Sequence, residues 1–190
     1  IVFAPILGDV AATLKVDMGM ATNLMMGFVL SVAVVLSFGG IVCDKYGMTA
    51  ALVLGLLCTS LPATLMPVMG HSYGAVFLGR LIQGASVGFV FATVGPILAL
   101  WFPPREQGLA SGILFGAISI GSTIGVIASP SLFAAFGSWQ KMVAVMSLPG
   151  WVAIALVLLF TRKAPSAEVI QALQAAMASG AESLTFTKAI

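Results

Sequence analysis

The sequence predicts an all-α, polytopic membrane helix bundle, and three observations carry that prediction. Of 190 residues, 60% are hydrophobic and 7% are charged, with a mean hydropathy of +1.14. A soluble domain of this length needs a polar surface, and 8 basic and 6 acidic side chains do not supply one. The second observation is run length: residues 22–42 form 21 uncharged positions and residues 48–69 form 22. About 20 helical residues cross the roughly 30 Å hydrocarbon core. The third is pattern. Barrel strands alternate apolar and polar positions over about ten residues, whereas these runs do not alternate, so the backbone must satisfy itself within helices.

Taken in order, residues 1–14 form an apolar run reaching only about 21 Å at about 1.5 Å per residue. It has neither the basic start nor the cleavage site of a secretory signal, and it is read as a truncated first helix of a fragment. Residues 15–19 are a polar break, and residues 22–42 are the second helix. Asp44 and Lys45 mark a short loop, followed by a third helix over 48–69 that Pro62 and Pro67 should kink. Gly70, His71 and Ser72 make a turn. Residues 73–102 form a fourth helix interrupted by one charge, Arg80. Pro103, Pro104, Arg105, Glu106 and Gln107 break the chain before a fifth helix over 109–136. A turn at 137–141 precedes the sixth helix, 142–161, and beyond it the chain is polar, with a short amphipathic stretch over 167–177.

Lysine and arginine in the turns set the orientation. Lys45, Arg105, Arg162, Lys163 and Lys188 share one side of a six-helix layout, and Lys15 and Lys141 lie on the other, so the first side is expected to be cytoplasmic. Tyr46 and Trp101, and Tyr73 and Trp139, fall near helix ends as interfacial anchors do. Trp151 lies within a helix and reads as bundle or lipid packing.

Several function classes recede on these grounds. A net charge of +2 is too small to suggest nucleic acid. Cys43 and Cys58 have no metal-type spacing, and His71 alone reads as a solvated turn residue. Gly84-Ala85-Ser86-Val87-Gly88 fits the G-x-S-x-G nucleophile pattern, but it lies inside an apolar helix rather than on a strand-to-helix turn. No catalytic residue, metal site or cofactor is expected, and the chain is not read as an enzyme.

Arg80 is the sharpest single residue. It lies about 10 Å from the start of its helix, a depth at which arginine costs at least ~2.5 kcal/mol unless it has a cavity or a partner. One reading is snorkelling toward the headgroups. The favoured reading places Arg80, with Gln83 on the same face, toward a central pathway, binding an anionic group or pairing with a titrating carboxylate. Asp9 is the carboxylate of the first helix and could pair with Arg80 or couple protons, although a helix-end role is the plainer one. Gly108, Gly112 and Gly116 repeat every four residues and let a neighbouring helix approach. Gly121, Gly125 and Ser129 repeat that spacing from roughly the opposite face.

Two motifs carry a family resemblance. Gly40-x-x-x-Asp44-Lys45-x-Gly47 resembles the loop between the second and third helices of the major facilitator superfamily. Arg80-x-x-Gln83-Gly84 resembles that family's intramembrane arginine motif in the fourth helix. Phe102-Pro103-Pro104-Arg105-Glu106 is similar to the loop before its fifth helix. Met48, Thr49 and Ala50 stand where the family carries basic residues. Gly121-x-x-x-Gly125-x-x-x-Ser129-Pro130 is similar to the antiporter signature ending in glycine-proline, without the glycines that follow it.

The resemblance implies half of a twelve-helix fold: residues 1–161 as the amino-terminal six-helix bundle and 162–190 as a cytoplasmic linker to a missing carboxy-terminal half. It implies a secondary transporter in a bilayer, expected in a bacterial inner membrane. The substrate is a small molecule, organic or inorganic and anionic, moved by alternating access, with protons a candidate coupling ion. Asp44, with Lys45 and the glycines Gly40 and Gly47, becomes one side of a gate, and Arg105 is its candidate partner within this half. From the residues alone, Asp44 and Lys45 are equally a solvated turn, with Asp44 favoured near the start of the third helix. A six-helix homodimeric channel or a structural membrane subunit is the alternative.

Overall fold

The computed structural model describes residues 4–103 and 105–160, and every regular element within them is helical. A 3₁₀ turn, Ala4–Ile6, leads into α1 (Leu7–Leu14), which stops at Lys15 in the left-handed conformation, φ 53°. Asp17 then caps α2 (Met18–Tyr46), its carboxylate accepting the Met20 N–H at 3.0 Å. This serves one of the donors that a helix start leaves open. Capping at Asp17 is why α2 begins earlier than the apolar run.

The other end of α2 corrects the sequence reading. Asp44 and Lys45 are not in a loop, because the helix continues through Tyr46 and only Gly47 separates it from α3 (Met48–Thr64). Nothing from Gly40 to Tyr46 breaks a helix. The stop is Gly47 itself, at φ 87° and ψ 159°, a region that side-chain-bearing residues hardly enter. Lys45 in the last turn complements the carbonyl end of α2. Asp44 is expected to gain from the start of the third helix, but it lies within α2, three residues before the Gly47 N-cap of α3 and at the carbonyl end of α2, which does not favour a negative charge.

The third run is split rather than kinked. α3 ends at Thr64, Leu65 intervenes, and α4 (Met66–Met69) carries Pro67 in its first turn. α5 (Tyr73–Trp101) and α6 (Gln107–Phe136) follow nearly as expected. The last run starts at Trp139, earlier than the expected residue 142, and is also broken. α7 (Trp139–Met146) and α8 (Leu148–Phe160) flank Ser147. Pro149 has no N–H to continue the ladder, and the joint tightens into bonds from Ser147 N–H to Ala144 O and from Gly150 N–H to Ser147 O.

Four stretches are long and apolar enough to cross a membrane: Met18–Tyr46, Tyr73–Ala99, Gln107–Phe136 and Trp139–Leu159. α3, at 17 residues, is a shorter apolar helix. The described helices up to Leu158 form one compact unit. The expected linker over 162–190 and its amphipathic stretch over 167–177 lie outside the described residues.

α5 is the organising helix, held between α2 and α3 by glycines. A Cβ at Gly84 would collide with the Phe28 carbonyl, and one at Gly88 would stand 2.7 Å from Leu36 N. Gly39 faces the Gly88 carbonyl from α2, and Gly55 faces the Ser86 carbonyl from α3. The Ser31 hydroxyl adds a 2.6 Å bond to Leu81 O across the same crossing. A cluster containing Val10, Leu24, Met66, Val76, Trp139 and Met142 closes one end of the bundle. Trp139 is therefore core, at 1% exposure, rather than the interfacial anchor expected. α6 leaves Leu109, Ile113, Ile120, Ile124 and Ile127 exposed.

Candidate functional site

The helical repeat of α5 aligns Arg80, Gln83, Ser86 and Val87 along one stripe. Opposite them stand Phe28 of α2, Thr59 and Ala63 of α3, Val143 and Met146 of α7, and Ser147 at the α7–α8 joint. Together these residues line a cavity of ≈ 280 Å³. Arg80 is 6% exposed and Gln83 7%, so the guanidinium lies inside the bundle. Its Nη1 donates to Gln83 Oε1 at 2.9 Å, and its Cζ lies 4.9 Å from the Phe28 ring centroid. This arrangement fits an arginine in a low-dielectric setting: one arm is fixed by an amide, one face by an aromatic ring.

Three hydroxyls complete the polar lining. Thr59 Oγ1 and Ser86 Oγ are hydrogen-bonded across the α3–α5 contact. Ser147 Oγ donates to Ala144 O at 2.7 Å and lies 2.9 Å from Thr64 Oγ1. The cavity thus presents one cation, one amide and hydroxyls on an otherwise apolar wall. That is chemistry for holding a small anion and for orienting it; a nucleophile paired with a base is missing from the lining. Among the described residues, no three of His, Cys, Asp and Glu come together to hold a metal ion.

The other residues singled out in the sequence are elsewhere. Asp9 is exposed on α1 and does not line the cavity. Asp44, Lys45 and Arg105 are exposed, and among the described residues Asp44 and Arg105 make no ion pair. Lys45 Nζ sits 5.4 Å from the Tyr46 ring centroid, and a Cβ at Gly40 would meet nothing within 4 Å. The same openness holds at Gly108, Gly112, Gly116 and Gly121 of α6. Gly125 O accepts the Ser129 hydroxyl at 2.6 Å, and Pro130 lies within α6.

Sequence reasoning missed Phe28, Thr59, Ser86 and Ser147. Ser86 had a findable signal, since it follows Gln83 by one helical turn. Ser147 had another in Pro149, which predicts a break and a polar joint beside it. Phe28 and Thr59 lie on separate helices, and nothing local points to them.

The family model described as Major Facilitator Superfamily matches residues 1–186. The chain belongs to the Major Facilitator Superfamily. Its bundle fits a half-domain of that fold, a multi-pass integral membrane protein. Among the relatives, Probable anion transporter 4, chloroplastic, of Arabidopsis thaliana is 29% identical over 128 residues, 67% of this chain and 24% of its own length. The Putative inorganic phosphate cotransporter of Drosophila melanogaster is 30% identical over 131 residues, 67% of this chain and 25% of its own length. Quinolone resistance protein NorA of Staphylococcus aureus is 29% identical over 109 residues, 57% of this chain and 27% of its own length. The chain spans about a quarter of the length of these relatives.

Proposed function

We propose that this chain is part of a secondary active transporter that moves a small organic or inorganic anion by alternating access, with Arg80 and Gln83 as the anion-recognising pair. The observation that carries this reading is the buried Arg80–Gln83 bond opening on a hydroxyl-bearing cavity of ≈ 280 Å³. The names of the plant and fly relatives support it.

Within the same proposal Asp44 and Lys45 serve as one side of a gate. Both are exposed at the α2–α3 joint, where a bond to another part of the transporter can form and break in each cycle.

The test is uptake of labelled phosphate, nitrate and acetate by the full-length protein in proteoliposomes. Arg80→Gln should weaken the apparent affinity for the transported anion about 10- to 100-fold, the worth of a charge-assisted bond. Arg80→Lys should recover only part of it, since lysine has no planar fork. Full activity in Arg80→Lys would refute bidentate recognition, and uptake of none of the three anions by the unaltered protein would refute the anion class.

A further inference from the structure

Trp151 is unexplained as packing, and its hydrogen bond gives it a different meaning. Its indole Nε1–H donates to Thr64 Oγ1 at 2.8 Å, joining α8 to the end of α3. Thr64 Oγ1 lies 2.9 Å from Ser147 Oγ, and Ser147 lines the Arg80 cavity. The three groups therefore form a continuous chain from the bundle surface to the cavity wall, where Ser147 is 5% exposed.

The chemistry of the first member fixes the direction of the first bond. Indole N–H is a donor and never an acceptor, so Thr64 Oγ1 must accept from Trp151. The Thr64 proton can donate to Ser60 O at 2.8 Å, leaving the second Thr64 lone pair to accept from Ser147, or it can donate onward to Ser147 Oγ. Ser147 in turn donates either to Ala144 O at 2.7 Å or into the cavity. Turning that last proton toward the cavity strands nothing, because Ala144 O also receives the Ser147 N–H at 3.2 Å. Ser60 O keeps its place in the α3 ladder. Each bond polarises the next, so a donor at the head strengthens the donor at the tail.

We propose that Trp151, Thr64 and Ser147 form a hydrogen-bond relay in which, once an anion is held by Arg80 and Gln83, Thr64 donates to Ser147 and the Ser147 hydroxyl turns onto that anion. Ser147 is then a specificity-determining residue favouring oxygen acceptors, and Trp151 and Thr64 are positioning residues acting through it. The inference rests on the reading of this cavity as an anion site. It extends that reading from a single cation on α5 to a second recognition element at the joint between α7 and α8.

The experiment measures dissociation constants of phosphate, nitrate and acetate for the purified full-length protein, read from ligand-dependent shifts in melting temperature. Ser147→Ala should weaken the best-bound anion about 10-fold, and Trp151→Phe about 3-fold. Ser147→Thr should restore most of the affinity, which a packing role for the small serine would not allow. In the decisive comparison, adding Trp151→Phe to Ser147→Ala should cost nothing further, since the relay is already cut. Additive losses in that double variant would overturn the relay, as would unchanged affinity in either single variant while Arg80→Gln weakens binding by at least about 10-fold. Affinity unchanged by Arg80→Gln would overturn the anion-site reading instead, and absence of a response to all three anions would overturn both.

Discussion

Gly88→Ala tests whether the crossing of α2 and α5 is the fixed point of the bundle. A Cβ there would stand 2.7 Å from both Leu36 N and the Val35 carbonyl carbon, against ordinary contact beginning at 3.4 Å. The shortfall is about 0.7 Å, and the obstructing atoms are backbone, which no rotamer change clears. The helices must therefore separate where Gly39 also approaches Gly88 O and where Ser31 bonds to Leu81 O. Overpacking of this kind costs about 1–3 kcal/mol. Weakening an interhelical bond adds about 0.6 kcal/mol. Better helix propensity returns about 0.8–1 kcal/mol. The net expectation is a loss of about 0.6–2.8 kcal/mol. Gly74→Ala in the same helix is the control, because a Cβ at Gly74 meets nothing within 4 Å and only the propensity gain remains. The assay is reversible unfolding of the purified full-length protein in mixed dodecyl sulfate micelles, followed by tryptophan fluorescence. Midpoints that move in the same direction for both variants would refute the close-approach argument.

Gly47→Ala should destabilise by about 1–3 kcal/mol in the same assay, since alanine must hold φ 87° and ψ 159° between two helices that have no other linker residue. A variant as stable as the parent would show that the joint relaxes freely. Asp44→Asn should slow transport in proteoliposomes while leaving expression and the unfolding midpoint unchanged, because the side chain is exposed and uninvolved in packing. Equal transport rates would dispose of the gate.

The apolar runs made the helices legible because lipid leaves few alternatives to a helix once twenty uncharged residues stand together. Boundaries were harder. Asp17 and Gly47 act through cap geometry, which moved the ends of α2 outward by several residues at each side. Pro62 and Pro67 signalled trouble in the third run, and the structure places a break between them at Leu65. Pro149 carried the same signal for the last run. Arg80 was readable as a site because a charge at that depth needs an explanation, and Gln83 because it lies one turn away. On the hydroxyl side of the cavity, Ser86 and Ser147 had local signals in Gln83 and Pro149, whereas Thr59 is brought there by tertiary packing alone. The glycines show the same limit. Gly108, Gly112 and Gly116 read as a packing stripe and meet nothing within 4 Å among the described residues, whereas Gly84 and Gly88, inside a pattern that resembled a nucleophile motif, are among the glycines where backbones approach closely.

Helix breaks and cavity polarity coincide in this bundle. In hydrocarbon, serine and threonine hydroxyls back-bond to carbonyls of the preceding turn. Each break carries one such hydroxyl: Thr64 bonds to Ser60 O beside Leu65, and Ser147 bonds to Ala144 O two residues before Pro149. The two breaks then stand side by side, with their hydroxyls 2.9 Å apart. A hydroxyl that doubles an existing backbone bond can still rotate, unlike the N–H groups of the ladder. At Ser147 that freedom faces the cavity that holds Arg80. Filling the break with a regular helix would therefore remove the polarity together with the distortion. Replacing Pro149 by alanine should straighten the α7–α8 joint and draw Ser147 into the ladder, lowering anion affinity without touching a cavity-lining residue.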